Sequence, residues 1–288
     1  MREREYKRMM ELKERIELAK RLIDDAEAIL ITAGAGMGVD SGLPDFRGEN
    51  GFWRAYPSLK EKGLHFEDMA TPKLFQTNPS LAWAFYGHRL HLYRETIPHE
   101  GFHLLRDLVH KKMNNYFIFT SNVDGQFQKA GFDEDAIVEV HGSIHYMQCT
   151  QRCNQEIWSA HESVIDVDME QFLARTLPIC PYCHSLARPN ILMFGDWNVW
   201  NSKRFNRQIA RYNTWIKKNK SAKMVIIEIG AGTAIPTIRY EGEKRAKQLM
   251  NTAFIRINPS EWMINTKIKI AIELPLGGKE GLKMIIGN

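Results

Sequence analysis

Ala28-Ile29-Leu30-Ile31-Thr32 followed by Gly34-Ala35-Gly36-Met37-Gly38 decides the reading of this chain: a short apolar run stops at a cluster of glycines. An apolar run without polar alternation is the pattern of a strand buried on both faces, as in a parallel sheet. Glycines after such a strand permit a tight turn and a close backbone approach to a phosphate. Upstream, residues 1–25 pair Glu3 with Lys7 and Glu11 with Arg15 at i to i+4, and Met10, Leu12, Ile16 and Leu18 mark an apolar side. This predicts an amphipathic helix feeding the strand. Downstream, Tyr116-Phe117-Ile118-Phe119-Thr120 and Met224-Val225-Ile226-Ile227-Glu228-Ile229 repeat the buried-strand pattern, with Ile137–Val140 and Phe254–Ile257 as weaker instances. Buried strands alternating with helical stretches predict an α/β fold with an open, Rossmann-like parallel sheet, whose ligands bind at the carboxyl ends of the strands.

The 288 residues are 44% apolar and 25% charged, which suits a globular chain with a substantial core. No apolar run approaches the ~20 residues that span a bilayer, and the first residues lack the apolar centre of a signal peptide, so a soluble, cytoplasmic protein with no membrane partner is expected. The net charge of +5 is mild, but eight Lys and Arg with no Asp or Glu lie between Trp197 and Ile227. That run reads first as a solvated helix face and second as a polyanion-binding patch, and no specific nucleic-acid partner is expected.

The four cysteines form two close pairs, Cys149/Cys153 and Cys180/Cys183. A reducing cytosol argues against disulfides, and paired thiolates supply four ligands to one tetrahedral zinc. Four thiolates leave no open coordination position, so the metal is expected to be structural. The predicted organisation is therefore a Rossmann-like domain from residues 1–142 and 191–288, interrupted by a small zinc-binding insertion at residues 143–190.

Polar clusters sit where the predicted strands end. Ser41-Gly42-Leu43-Pro44-Asp45-Phe46-Arg47-Gly48 follows the glycine turn, Thr120-Ser121-Asn122-Val123-Asp124 ends the second strand, and His141-Gly142 follows the third. Each has a local explanation as a cap or a solvated loop; their coincidence at sheet ends is what points to catalysis.

Taken in order, GAG…PDFRG, TSNVD, VHG, the two cysteine pairs, MFGD, IGAGTAIP and RIN make the chain resemble the sirtuin (Sir2-like) family of NAD-dependent protein deacylases, from about Ile29 to Asn258. The resemblance implies that NAD is consumed as a co-substrate, that acylated lysines of proteins are the partners, and that nicotinamide and O-acyl-ADP-ribose are products. It implies that Gly34, Ala35 and Gly36 hold the phosphates and that Asp45, Phe46 and Arg47 form a loop over NAD. Asn122 and Asp124 would sit at the nicotinamide-side pocket with Ser121 beside them, and His141 would be the general base. Gly230, Gly232, Thr233 and Asn258 would contact the adenosine half, while Phe194 and Gly195 border the acyl-lysine tunnel. The chain departs from the family pattern at Ser121, at Gly230-Ala231-Gly232 and at Gly38, which leaves a sirtuin-like ADP-ribosyltransferase or NAD glycohydrolase as the alternative.

Tyr86 and Arg89 fall three apart in Trp83-Ala84-Phe85-Tyr86-Gly87-His88-Arg89, and at helical spacing they share a face. A phenol and a guanidinium there can both reach a carboxylate and so read as an anion clamp, against the alternative of a packed Tyr and a solvated Arg. The surrounding stretch resembles the sirtuin subclass that removes succinyl and malonyl groups, which implies higher kcat/KM on succinyl- or malonyl-lysine than on acetyl-lysine.

Overall fold

The computed structural model describes residues 2–44, 49–196, 198–264 and 266–287. Helix α1 (Arg2–Asp24) leads into β1 (Ala28–Ala33). Then α2 (Gly36–Val39), α3 (Glu49–Ala55), α4 (Pro57–Glu61), α5 (Phe66–Met69), α6 (Pro72–Thr77), α7 (Pro79–Glu95) and α8 (Glu100–Lys111) precede β2 (Tyr116–Thr120). After α9 (Gln126–Lys129) and β3 (Ile137–Glu139) come the short strands β4 (Gly142–Cys149), β5 (Ile157–Ser159), β6 (Val167–Asp168), β7 (Leu173–Ala174) and β8 (Ala187–Ile191). The chain ends through α10 (Lys203–Lys218), β9 (Met224–Ile229), α11 (Thr237–Gln248), β10 (Thr252–Ile257), β11 (Ala271–Leu274) and α12 (Gly278–Ile286).

Six strands form one parallel sheet in the order β11-β10-β9-β1-β2-β3. Strand β1 lies at its centre, with Ile31 opposite Ile118 of β2 on one side and Ile227 of β9 on the other. The chain builds outward from β1 to β3 and then returns to add β9 on the opposite side. The reversal opens a crevice beyond the carboxyl ends of β1 and β9, the place where such sheets bind ligands.

Both faces of this sheet are covered, which is why its strands read as continuous apolar runs. Ile29, Ile31, Ile118 and Ile227 pack with Ile16, Ala19, Phe102, Leu105 and Leu282 of α1, α8 and α12. On the other face Ala28, Leu30, Phe117 and Ile226 meet Tyr212, Ile216 and Ile238 of α10 and α11. The helix expected at the start is present, but its core stripe is Ile16, Ala19 and Ile23; Met10 and Leu18, expected on that stripe, are each 39% exposed. Spacings of three and four keep 16, 19 and 23 on one line, whereas 16 and 18 diverge by more than half a turn.

A separate hydrophobic core lies beside the sheet, and two distant segments build it. Phe52, Tyr56, Phe75, Trp83, Phe85 and Tyr86 from α3 to α7 pack with Ile144, Met147, Ile165, Phe172 and Ile191 of the cysteine-bearing segment. The indole N–H of Trp83 donates to the carbonyl of Ala187 at 2.9 Å, tying α7 to β8. The helices start where the sequence provides caps: Thr71 Oγ1 accepts from Lys73 N–H before Pro72, and Asn78 Oδ1 accepts from Leu81 N–H before Pro79. Among the described residues no helix is long and apolar enough to cross a membrane.

Candidate active site

The glycine turn meets the end of β9 at backbone contact. A Cβ on Gly34 would stand 2.6 Å from the carbonyl oxygen of Gly230, and one on Gly36 would stand 2.7 Å from the Cα of Gly230. Gly230 itself has φ +60°, a left-handed conformation that glycine adopts without strain. The N–H groups of Gly34 and Gly36 donate to the carbonyls of Ile229 and Gly230, each at 3.0 Å. These glycines thus pack two strand ends together, and the Ala35 N–H between them has no protein acceptor among the described residues. The glycine requirement arises from close packing of backbone, while the donor left for an anion belongs to Ala35.

Two cavities open from this turn. One, of about 490 Å³, is lined by Gly34, Gly36, Asp40, Gly230, Gly232, Thr233, Asn258 and Glu261. The other, of about 310 Å³, brings together Tyr86, Arg89, Asn122, Asp124, His141, Phe194 and Gly195. Ala35, Ser121 and Ile235 line both, so the two cavities meet at the end of β1. Together they form one continuous trough across the end of β1.

In the first cavity Thr233 donates through its N–H (2.8 Å) and its hydroxyl (2.6 Å) to the carboxylate of Glu261, a residue the sequence did not single out. The amide of Asn258 donates to Ala231 O at 3.1 Å, and its oxygen accepts from the N–H groups of Ser260 and Glu261. Asn258 therefore braces the wall of the cavity through these bonds.

In the second cavity the amide of Asn122 donates to Gly34 O at 3.0 Å, fixing the loop after β2 against the glycine turn. Asp124 is buried; its Oδ1 accepts from Gln126 N–H at 2.9 Å. Burial drives its pKa up to about 6, with the backbone hydrogen bond opposing, nearby Glu139 adding to the rise and Arg89 countering it. His141 is half-buried at the end of the loop from β3, where its carbonyl accepts from Leu192 N–H at 2.9 Å. Phe194 is held by its N–H on Ala70 O at 2.9 Å, and Gly195 has φ +73° beside it.

Tyr86 and Arg89 both face this cavity from α7, and both are buried. The guanidinium is boxed by the rings of Phe66, Phe85, Tyr86 and Tyr93 at 5.0 to 5.8 Å. Its Nε and Nη2 donate to the Tyr93 hydroxyl at 3.1 and 2.7 Å. Burial raises the Tyr86 phenol to about 12, so a neutral hydroxyl stands beside the guanidinium cation. Below it, buried Arg188 and Asp196 form an ion pair that also takes Met193 N–H, anchoring the segment that carries Phe194 and Gly195. Asp45, Phe46 and Arg47 lie outside the described residues.

The four cysteines meet at one point: all four Sγ atoms lie within 4.8 Å of one another. Cys149 to Cys183 is 3.5 Å and Cys153 to Cys180 is 3.6 Å, while Zn–S bonds of ~2.3 Å in a tetrahedron require roughly 3.8 Å between sulfurs. No disulfide joins them, and left-handed Arg152 (φ 52°) before Cys153 and His184 (φ 60°) after Cys183 turn the backbone at each pair. The donor set fits a structural zinc.

The model of the Sir2 family matches residues 34–231 of this chain. The chain belongs to the Sir2 family. An NAD-dependent protein deacylase of Candida albicans is 28% identical over 258 residues, 76% of this chain and 80% of that protein. One of Leptospira interrogans is 27% identical, with 90% of each chain covered. A Pyrococcus furiosus protein of the same name is 34% identical over 181 residues, 62% of this chain and 65% of its own length, so that match spans just under two thirds of the relative. Among solved structures, a Sir2 homologue in complex with NAD superposes with a TM-score of 0.67 at 22% identity, covering 94% of this chain and 91% of the other. Sir2Tm bound to a propionylated peptide gives 0.64 at 19% identity, with 92% and 94% covered. The Sir2 fold accounts for the parallel sheet, the side core and the cysteine cluster together.

Proposed function

We propose that this chain is an NAD-dependent protein lysine deacylase that moves the acyl group onto ADP-ribose and favours acidic acyl groups. The observation that carries the reading is the single cavity that gathers Asn122, Asp124 and His141 at one end of a glycine-lined trough and Tyr86 and Arg89 alongside them. Membership of the Sir2 family and the repeated naming of relatives as NAD-dependent protein deacylases support it.

Gly34, Ala35 and Gly36 bind the phosphates, with the Ala35 N–H as donor, and Gly230, Gly232, Thr233 and Asn258 shape the adenosine side. When bound, NAD supplies an activated ribose carbon once its bond to nicotinamide breaks. Asp124 accepts a hydrogen bond from the carboxamide, while Asn122 and Ser121 hold the ribose side. His141 takes a proton from a ribose hydroxyl, a task suited to an imidazole near neutrality. Phe194 and Gly195 line the entry of the acyl-lysine, and Tyr86 with Arg89 receives a carboxylate at the acyl end through a charge-assisted bond. The sheet-bearing segments 1–142 and 191–288 and the zinc-bearing segment 143–190 act as two domains, the second sharing its core with α3 to α7. A four-thiolate zinc site, which requires reduced cysteines, suits a cytoplasmic enzyme.

The test is to incubate the protein with NAD and acetyl-, succinyl- and malonyl-lysine peptides and to follow nicotinamide and deacylated peptide. Peptide-dependent NAD turnover, faster with the acidic acyl groups, is expected. NAD loss that ignores peptide would replace deacylation with glycohydrolysis.

A further inference from the structure

We propose that His145 is a positioning residue for Asp124, fixing from outside the cavity the carboxylate that receives nicotinamide. The imidazole lies one strand residue beyond Ile144 on β4, and its Nε2 is 2.8 Å from the backbone carbonyl oxygen of Asp124. A carbonyl only accepts, which assigns the ring proton to Nε2. Beside it, Ile144 N–H donates to Val123 O at 3.0 Å, so β4 grips two consecutive carbonyls of the turn that carries Asp124.

The next residue shows how closely the ring is fitted. Gly125 has φ +70°, and a Cβ there would stand 2.7 Å from Cδ2 and 2.8 Å from Nε2 of His145. Only glycine allows the turn and the ring to share this space. The carboxylate is then held from its other side, because Asp124 Oδ1 accepts from Gln126 N–H at 2.9 Å and Gln126 Nε2 donates to Tyr93 O at 3.2 Å. A buried carboxylate that is ionised above about pH 6 is drawn toward water unless its backbone is pinned at both ends, and His145 supplies one pin.

Besides the Asp124 carbonyl, the charges that act on the imidazole are Glu139, Arg94 and Lys129, and Arg94, Tyr146, Ser159 and His161 line with it the cavity of about 390 Å³ on its outer side. Burial lowers the His145 pKa, so at neutral pH the ring is the uncharged donor the geometry needs. His145 lines that outer cavity and is absent from the lining of the two inner ones, which separates positioning from direct contact with a nucleotide.

The inference rests on the reading of Asp124 as a nicotinamide-side residue, and the experiment separates the two. NAD Kd by calorimetry and steady-state kinetics are measured for wild type, His145→Phe and His145→Gln, with zinc content and Tm as folding controls. Loss of one hydrogen bond to the turn is expected to weaken NAD binding and raise NAD KM about 3- to 10-fold in His145→Phe, with kcat at saturating NAD within about 2-fold. The side-chain amide of His145→Gln restores the donor and most of the affinity. A folded His145→Phe protein with wild-type NAD Kd overturns the proposal, and so does a His145→Gln protein as weak as His145→Phe. Should His145→Phe not fold, His145→Ala is read against the same outcomes. Wild-type protein that binds NAD without turning it over sinks the deacylase reading alone, since the Kd comparison still tests His145.

Discussion

Replacing Asp124 by Asn should stabilise the protein while damaging its activity. The carboxyl is buried and its pKa is raised from 3.8 to about 6, chiefly because burial penalises the charged form. A carboxyl whose folded-state pKa exceeds the unfolded one favours the folded state at low pH, and that advantage disappears as pH rises through about 6. At pH 7.5 the ionised group is held at a cost of about 3 kcal/mol, from roughly two pKa units at 1.36 kcal/mol each. The Asp124→Asn variant keeps an oxygen for the Gln126 N–H and carries no charge, so it should gain up to that amount, roughly 5–10 °C in Tm. At pH 5, where the wild-type carboxyl is already largely protonated in the folded protein, the gap should shrink to about half. Thermal denaturation at the two pH values gives the comparison, and NAD turnover at pH 7.5 should fall about 10- to 100-fold in the variant. A variant no more stable than wild type at pH 7.5, or a stability gap that does not narrow at pH 5, would show that burial of this charge carries no cost.

Three further outcomes follow from the same geometry. His141→Ala should lower kcat/KM for deacylation by about 10²- to 10⁴-fold with NAD Kd within about 3-fold, measured by peptide turnover and calorimetry; unchanged turnover would remove His141 from the role of base. In Arg89→Met the preference for succinyl- over acetyl-lysine should fall by about 10-fold or more, because the charge-assisted partner of the acyl carboxylate is gone, and an unaltered ratio would return Arg89 to a packing role. One zinc per chain should be found by metal analysis, and its removal by a strong chelator should lower Tm by roughly 10 °C or more, whereas active protein without zinc would contradict the four-thiolate site.

The sheet was legible because its central strands are covered on both faces. Ala28–Ala33, Tyr116–Thr120 and Met224–Ile229 are buried at every residue, and their few polar positions, Thr32, Thr120 and Glu228, are too sparse to set up an alternation. The edge strand Ala271–Leu274 escaped for the opposite reason: it is short, its burial alternates, and it pairs only with β10. The second core was hidden for a reason of distance. Nothing local in α7 signals that Trp83 bonds to Ala187, 104 residues away, so the helices before β2 and the cysteine segment looked like separate pieces.

The candidate site divides along the same line. Residues that present side chains at strand ends, such as Asn122, Asp124 and His141, could be read from their motifs, and the cavity gathers them. Residues that act through another residue's backbone left no pattern: His145 reaches Asp124 across 21 positions, and Gln126 reaches Tyr93 across 33. Gly34 and Gly36 fall between these cases. Their presence was legible but their cause was not, because the partner that demands a missing Cβ is Gly230, almost two hundred residues downstream on the strand added last beside β1. A sequence shows which groups can do chemistry and where a strand delivers them. What holds those groups still is set by contacts between segments that meet only after folding, and at Asp124 this bracing has to withstand a buried charge's tendency to return to water.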